Sequence, residues 1–263
     1  ETMASRWAFE AFVVSQFMSN PYAGLFYNVD QRISNSAYMK QFYLPHLESN
    51  LSMIFNNRSK WRDKNNIETV EAFALLKNEL GHQASLHGQG RFPFIDRIEV
   101  GKFNDSIFDQ VKHFIEVLRK LESRRGGEAN RSRDSLVNYL SNFPGETSAD
   151  LSRHYQNSEI NSLVVNALDP QKIVPWQGVL IRRFAPIYEN DFRPRNPLDF
   201  RAGMYSPQKH FLGQYFSTFT FNVSMIWCMT IGLFITLYFD LLKNAVQGFE
   251  LRRKYARKAK LIG

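Results

Sequence analysis

Cysteine is nearly missing from this sequence, with one copy, Cys228, in 263 residues. No intrachain disulfide can form, so the fold must be held by its core. That argues against a secreted eukaryotic ectodomain and fits a bacterial domain on the periplasmic side. The usual chemical motifs are missing too. There is no G-x-x-x-x-G-K-[ST] phosphate loop, no H-E-x-x-H pair and no G-x-S-x-G elbow. Six histidines are scattered along the chain, and the closest two, His82 and His87, fall in what reads as a Gly-containing loop. Gly88-Gln89-Gly90-Arg91 has the glycines of a phosphate loop but no helix to follow them. The sequence therefore offers no catalytic, metal or cofactor site of its own, and the chain is not expected to be an enzyme.

The most informative absence is of charge. From Phe211 to Phe239, 29 residues pass without Asp, Glu, Lys, Arg or His. A helix rises about 1.5 Å per residue, so roughly 20 apolar residues cross a bilayer core of about 30 Å. The run predicts a membrane-spanning helix, most apolar over 219–239 behind a softer lead-in with Gln214, Ser217 and Thr218. A buried helix of a large soluble protein is the alternative. Beyond Asp240 the tail carries Lys243, Arg252, Arg253, Lys254, Arg257, Lys258 and Lys260 against Glu250. By the positive-inside rule this puts the C-terminus in the cytoplasm and everything before Phe211 outside. The tail accounts for +5 of the formal net charge of +8. What remains gives no reason to expect nucleic acid, whereas a basic segment beside a membrane suits anionic lipid headgroups.

The rest reads as mainly α. Residues 4–18 predict a short helix apolar nearly all round, with Arg6 and Glu10 one turn apart; Asn20-Pro21 stops it. Aromatic helix is expected over 29–55 with an interruption at Pro45, and an amphipathic helix over 67–80 with Gly81 as its stop. Residues 81–103 suggest a loop with one short strand. Asn104 should cap a helix whose stripe runs Ile107, Val111, Phe114, Ile115, Leu118, ending at Gly126-Gly127. Two shorter helices are expected at 132–142 and 148–166. From Asp169 six prolines within 40 residues leave only extended segments, such as 178–184, and turns. Arg182, Arg183, Arg193, Arg195 and Arg201 read as a solvated basic face or a contact for lipid headgroups. The parts are residues 1–18, an interfacial or re-entrant helix; 19–206, an outer mainly helical domain; 207–242, the lead-in and transmembrane helix; and 243–263, a basic cytoplasmic tail.

Thr2-Met3-Ala4-Ser5-Arg6-Trp7-Ala8-Phe9-Glu10-Ala11 resembles the segment after the penultimate transmembrane helix of ABC-2 type permeases, the G-subfamily-like ABC transporters. There a Ser-Arg-Trp/Tyr-x-Phe/Tyr-Glu-Ala run forms a short re-entrant or interfacial helix, followed by an external loop and a last transmembrane helix with a basic end. Leu237-Tyr238-Phe239-Asp240-Leu241-Leu242-Lys243 is similar to the ending of that last helix. The outer insertion, roughly 190 residues here, looks most like exporters of Bacteroidetes-type bacteria. The resemblance covers both ends and little of the middle. It implies that Arg6, Trp7, Phe9, Glu10 and Phe12 lie at the membrane interface, and that ATP and Mg²⁺ are bound by a nucleotide-binding domain absent from this chain. An ordinary buried amphipathic helix with an exposed Arg–Glu pair is the alternative.

Within the span, Ser224, Cys228, Gly232 and Thr236 recur every four residues. Four-residue steps drift only about 40°, so these residues form a ridge on which a second helix can pack closely. The partners expected are membrane lipid and either other transmembrane segments of a transporter or a second copy of the chain. A single-pass anchored scaffold or binding protein of the envelope would show the same features.

Overall fold

Asn20 turns the chain between its first two helices, α1 (Ala4–Met18) and α2 (Pro21–Tyr38). Its side chain donates to the Phe17 carbonyl at 2.6 Å and accepts from the Ala23 N–H at 2.8 Å, ending one helix and capping the next. Pro21 suits the first turn, where no N–H is needed. The computed structural model describes residues 3–61, 65–87, 92–142, 145, 147–166, 168–194, 196–200 and 202–240. The basic tail after Asp240, Arg195, Arg201 and the Gly88–Arg91 stretch lie outside these residues.

The interruption expected at Pro45 is a widening and not a break. α2 runs through a π turn, Met39–Tyr43, straight into α3 (Leu44–Asn56). Pro45 has no N–H for the carbonyl four residues back, and the Leu44 N–H reaches five residues back to Met39. The turn aims Tyr43 at the core, where it is 2% exposed.

α4 (Ile67–His87) continues through Gly81, because Gln83 and Ala84 beyond it remain buried. Burial of that last turn outweighs the weak helix preference of one glycine. The stretch 92–103 holds a single 3-10 turn, Ile95–Arg97, and no strand. α5 (Asp105–Asn142) begins where Asn104 accepts from the Ile107 N–H at 2.9 Å, and its 38 residues carry it past Gly126-Gly127. Gly126 serves packing. A Cβ there would lie 2.4 Å from Ser36 Oγ, and that hydroxyl donates to the Glu122 carbonyl at 2.6 Å. The helix expected over 148–166 is split into α6 (Ser148–Tyr155) and α7 (Ser158–Val165), because Asn157 caps the second.

Two hairpins follow in the proline-rich region. β1 (Ile173–Trp176) pairs antiparallel with β2 (Val179–Arg182), Val174 opposite Ile181. β3 (Gln208–Phe211) pairs with β4 (Gln214–Ser217), Lys209 opposite Phe216. Both turn on two residues with positive φ, Gln177-Gly178 and Leu212-Gly213, the primed geometry that matches strand twist. The start of the uncharged run is thus a hairpin. α8 (Thr218–Tyr238) begins after it, with Ser217 Oγ accepting from the Thr220 N–H.

The chain is mainly helical, and its core lies between helices. Leu47, Leu76, Leu80, Val111, Ile115 and Leu118 close one cluster between α3, α4 and α5. A smaller one, with Val13, Val14, Phe17, Val164 and Ile187, joins α1 to α7. α8 is different: Trp227, Leu233, Phe234 and Leu237 are each more than 60% exposed. At 21 residues it is long and apolar enough to cross a membrane, and it is compatible with insertion in one.

The paired glycines give a contrast to measure. Gly126→Ala should cost about 1–3 kcal/mol, since the new methyl overpacks a buried contact. Gly127→Ala meets nothing within 4 Å and should gain up to about 1 kcal/mol from helix preference alone. Urea unfolding of the two variants should show opposite shifts in midpoint; shifts of the same sign would refute the packing account of Gly126.

Candidate functional site

The two ends of the helical body meet at a buried carboxylate. Glu10 of α1 is 2% exposed, and its partner is not Arg6 one turn away but Lys209 of β3, whose Nζ lies 2.7 Å from Oε2. Asn222 Nδ2, one turn into α8, donates to the same oxygen at 2.9 Å and to the Trp7 carbonyl at 3.1 Å. The Tyr205 N–H donates to Oε1 at 3.2 Å. Lys209 Nζ also sits 4.7 Å from the centre of the Trp7 ring, a cation–π contact. Trp7 packs on Phe200 and Phe221 and is 6% exposed, so its ring faces protein. Phe9 and Phe12 point outward, 50% and 69% exposed, and Arg6 is exposed as well. The first turn of α8 is fixed by Thr218, whose hydroxyl donates to the Ser206 carbonyl and whose N–H donates to the Pro207 carbonyl.

The small-residue ridge touches little within the chain. Ser224, Cys228 and Gly232 are exposed, and a Cβ on Gly232 would meet nothing within 4 Å. Thr236 is half-buried and donates back to the Gly232 carbonyl at 2.7 Å, which satisfies its hydroxyl within the helix.

A second polar centre lies in the helical body. Glu79 of α4 is 0% exposed. It accepts from the Tyr43 hydroxyl at 2.7 Å, from the Leu180 N–H at 2.8 Å, and from Arg193 Nη1 at 2.9 and 3.0 Å. Arg193 also reaches Asp191 at 3.3 Å, and His82 meets Asp191 at 2.8 Å. His82 therefore stands on α4 against a carboxylate and not in a glycine loop. Arg193 is held above its ordinary pKa: burial works against its charge, but Glu79 and Asp191 overcome it. Burial raises the Asp191 carboxyl, and the His82 hydrogen bond and Arg193 charge more than reverse this, leaving it low.

Arg182 of β2 is also buried, and its guanidinium is satisfied without a carboxylate. It donates to the carbonyls of Phe184 and Ala185, to Asn35 Oδ1 and to Ser34 Oγ, and lies 4.6 Å over the Tyr38 ring. The solvated basic face expected here is therefore an interior feature at Arg182 and Arg193, while Arg183 pairs with Asp169 at 2.9 Å. Beside them opens a cleft of about 810 Å³, walled by Tyr38, Trp176, Arg182, Glu189, Phe192 and Arg193 among others. The Glu189 carboxylate has no hydrogen bond or ion pair among the described residues. Burial pushes it up to about 7, with Arg182 opposing and Asp191 adding to the rise. Among the described residues no three His, Cys, Asp or Glu side chains are grouped as a metal site.

Sequence reasoning missed Glu79 and the cleft. One signal was available: Glu79 sits between Leu76 and Leu80 on the apolar face of α4, where a carboxylate must find partners.

The Glu10 junction can be tested by pairwise substitution. Glu10→Gln alone leaves the Lys209 ammonium buried without its counter-charge and should destabilise by about 3–5 kcal/mol. Adding Lys209→Met removes the stranded charge and should recover more than half of that loss. Thermal unfolding of the four proteins checks it; additive losses would refute direct coupling. No protein-family model, curated protein or solved structure matches this chain.

Proposed function

We propose that this chain is the C-terminal membrane portion of an ABC-type exporter in a bacterial inner membrane. α8 is its last transmembrane helix, and the helical body between α1 and α8 is an extracytoplasmic domain. The residues after Asp240 lie in the cytoplasm, and transport is driven by a nucleotide-binding domain carried elsewhere. The junction at Glu10 is the observation that supports this best. A domain inserted between two neighbouring elements of a membrane protein has to bring the chain back to where it left. α1 and α8 are locked together in that way, with Phe9 and Phe12 outward beside the start of the apolar helix. The run around Arg6 and Trp7 and the ending Leu237–Lys243 resemble the corresponding parts of ABC-2 permeases, and the order of elements is the same. In this reading α1 and the body cap the exit path while the permease alternates between inward and outward access.

The unpacked ridge on α8 also suits a second reading, a single-pass anchored scaffold that pairs with its own copy. Cross-linking from the native Cys228 in membranes separates the two. The exporter reading expects capture of a different transmembrane segment. Gly232→Leu and Ser224→Leu should then weaken assembly and reduce ATP-driven transport several-fold, with Leu233→Ile tolerated. Capture of identical Cys228 alone, with ATP turnover of the assembly untouched by Gly232→Leu, would replace the exporter with the scaffold.

A further inference from the structure

Most buried charges in the helical body have an answer. Glu79 is closed by Arg193, Tyr43 and the Leu180 N–H, and Asp191 by His82 and Arg193. Arg183, at the rim, turns to Asp169. Half-buried Glu189, whose carboxylate opens to the cleft, is the exception. It stands in the wall of the cleft of about 810 Å³, a size typical of small-molecule sites. Its backbone N–H is used by the turn at Pro186, and its Oε2 faces Gly203, where even an added Cβ would remain 3.6 Å away. No donor among the described residues reaches the carboxylate.

Arg182 is the cation that acts most strongly on Glu189, and its guanidinium is spent on neutral acceptors in Ser34, Asn35, Phe184 and Ala185. The remaining wall is aromatic and aliphatic, with Tyr38, Trp176, Phe192 and Val174. An unanswered carboxylate in such a wall lacks a donor of positive charge attached to an apolar body.

We propose that this cleft is a binding site for a small organic cation, a protonated amine on an aromatic or aliphatic body, with the ammonium group on Glu189. The ammonium supplies the hydrogen bonds the carboxylate lacks, and the aromatic walls take the apolar part. Arg182 keeps a second positive group out of the inner end, so the site prefers monoamines to diamines. The site stands independently of the exporter reading, since it needs only the folded body. Because Glu189 must be ionised to hold the ligand, affinity rises with pH through about 7. The charged groups facing Glu189 are Arg182 from β2 and Asp191 and Arg193 from its own segment, with the Tyr38 hydroxyl from α2. Burial keeps Tyr38 neutral far above this range.

Calorimetry on the full chain in nanodiscs, with empty nanodiscs as blank, tests the site. The probes are 2-phenylethylamine and tryptamine, with 3-phenylpropionate as the anionic counterpart and 1,4-diaminobutane as the diamine. At pH 8 one or both aryl amines should bind saturably at one site, and the anion and the diamine should bind at least tenfold more weakly. Glu189→Gln should lose tenfold or more in affinity and no longer respond to pH between 6 and 8. The wild type should tighten several-fold over that range, and the flat response of the variant separates Glu189 from His82 and His210. Ala202→Leu, which narrows the cleft and keeps the carboxylate, should weaken both amines and decides the matter if Glu189→Gln fails to fold. No saturable amine binding at millimolar concentration, tighter binding of the anion, or amine affinity unchanged in the folded variants overturns the proposal.

Discussion

A carboxylate that has lost its water must be matched on every side by protein, and Glu10 is matched by groups that arrive from three places. Lys209 comes from a hairpin, Asn222 from the membrane-type helix and the Tyr205 N–H from the segment before the hairpin. None of these could be removed without leaving a charge or donor stranded in a dry site, where the penalty is several kcal/mol. The Glu10 side chain thus ties α1 to the β3–β4 hairpin and to α8, whose first turn Thr218 also anchors. Apolar packing of Trp7 on Phe200 and Phe221 surrounds the pair and excludes water from it. Hydrophobic contact alone would hold these elements near each other; the ion pair selects one register.

The helical body repeats the device at Glu79 and then departs from it at Glu189. Around Glu79 a π turn, a strand and an irregular segment converge, and the widened turn at Pro45 is what allows the Tyr43 hydroxyl to reach. The two-residue turn at Gln177-Gly178 brings the Leu180 N–H onto the same carboxylate. One centre is thus closed and rigid, and the neighbouring one is left open toward a cleft. A closed polar centre beside a largely apolar cleft with one open carboxylate is the arrangement expected of a preformed ligand site.

Much of this architecture could be read from the chain. The stripe from Ile107 to Leu118, the cap at Asn104 and the uncharged run ending in Phe239 are local signals, and local signals survive into the fold. Glycine was the weak point. Gly81 and Gly126 looked like stops, yet one helix is carried onward by the burial of Gln83 and Ala84, and the other uses its missing side chain to let Ser36 approach. The hairpin at Leu212-Gly213 was hidden because an apolar residue occupies a turn position that needs positive φ. The polar centres were out of reach for a different reason. Lys209 lies 199 positions from Glu10, and Arg193 lies 114 from Glu79, so neither pairing leaves a periodic trace. Glu10 and Glu79 on apolar helix faces signal only that partners exist.

The contact between Trp7 and Asn222 joins residues 215 positions apart. Closing a flexible loop of that length from an unfolded chain costs roughly 5 kcal/mol in entropy, more than one buried ion pair returns. Once the helical body has formed, its fixed ends shorten the effective loop to the few residues around Glu10 and Lys209, and the cost largely vanishes. The Glu10 junction is therefore cheapest to close once the helical body has formed. α8 takes its orientation relative to α1 from that closure, at a carboxylate that lies 212 positions before the Asn222 it grips.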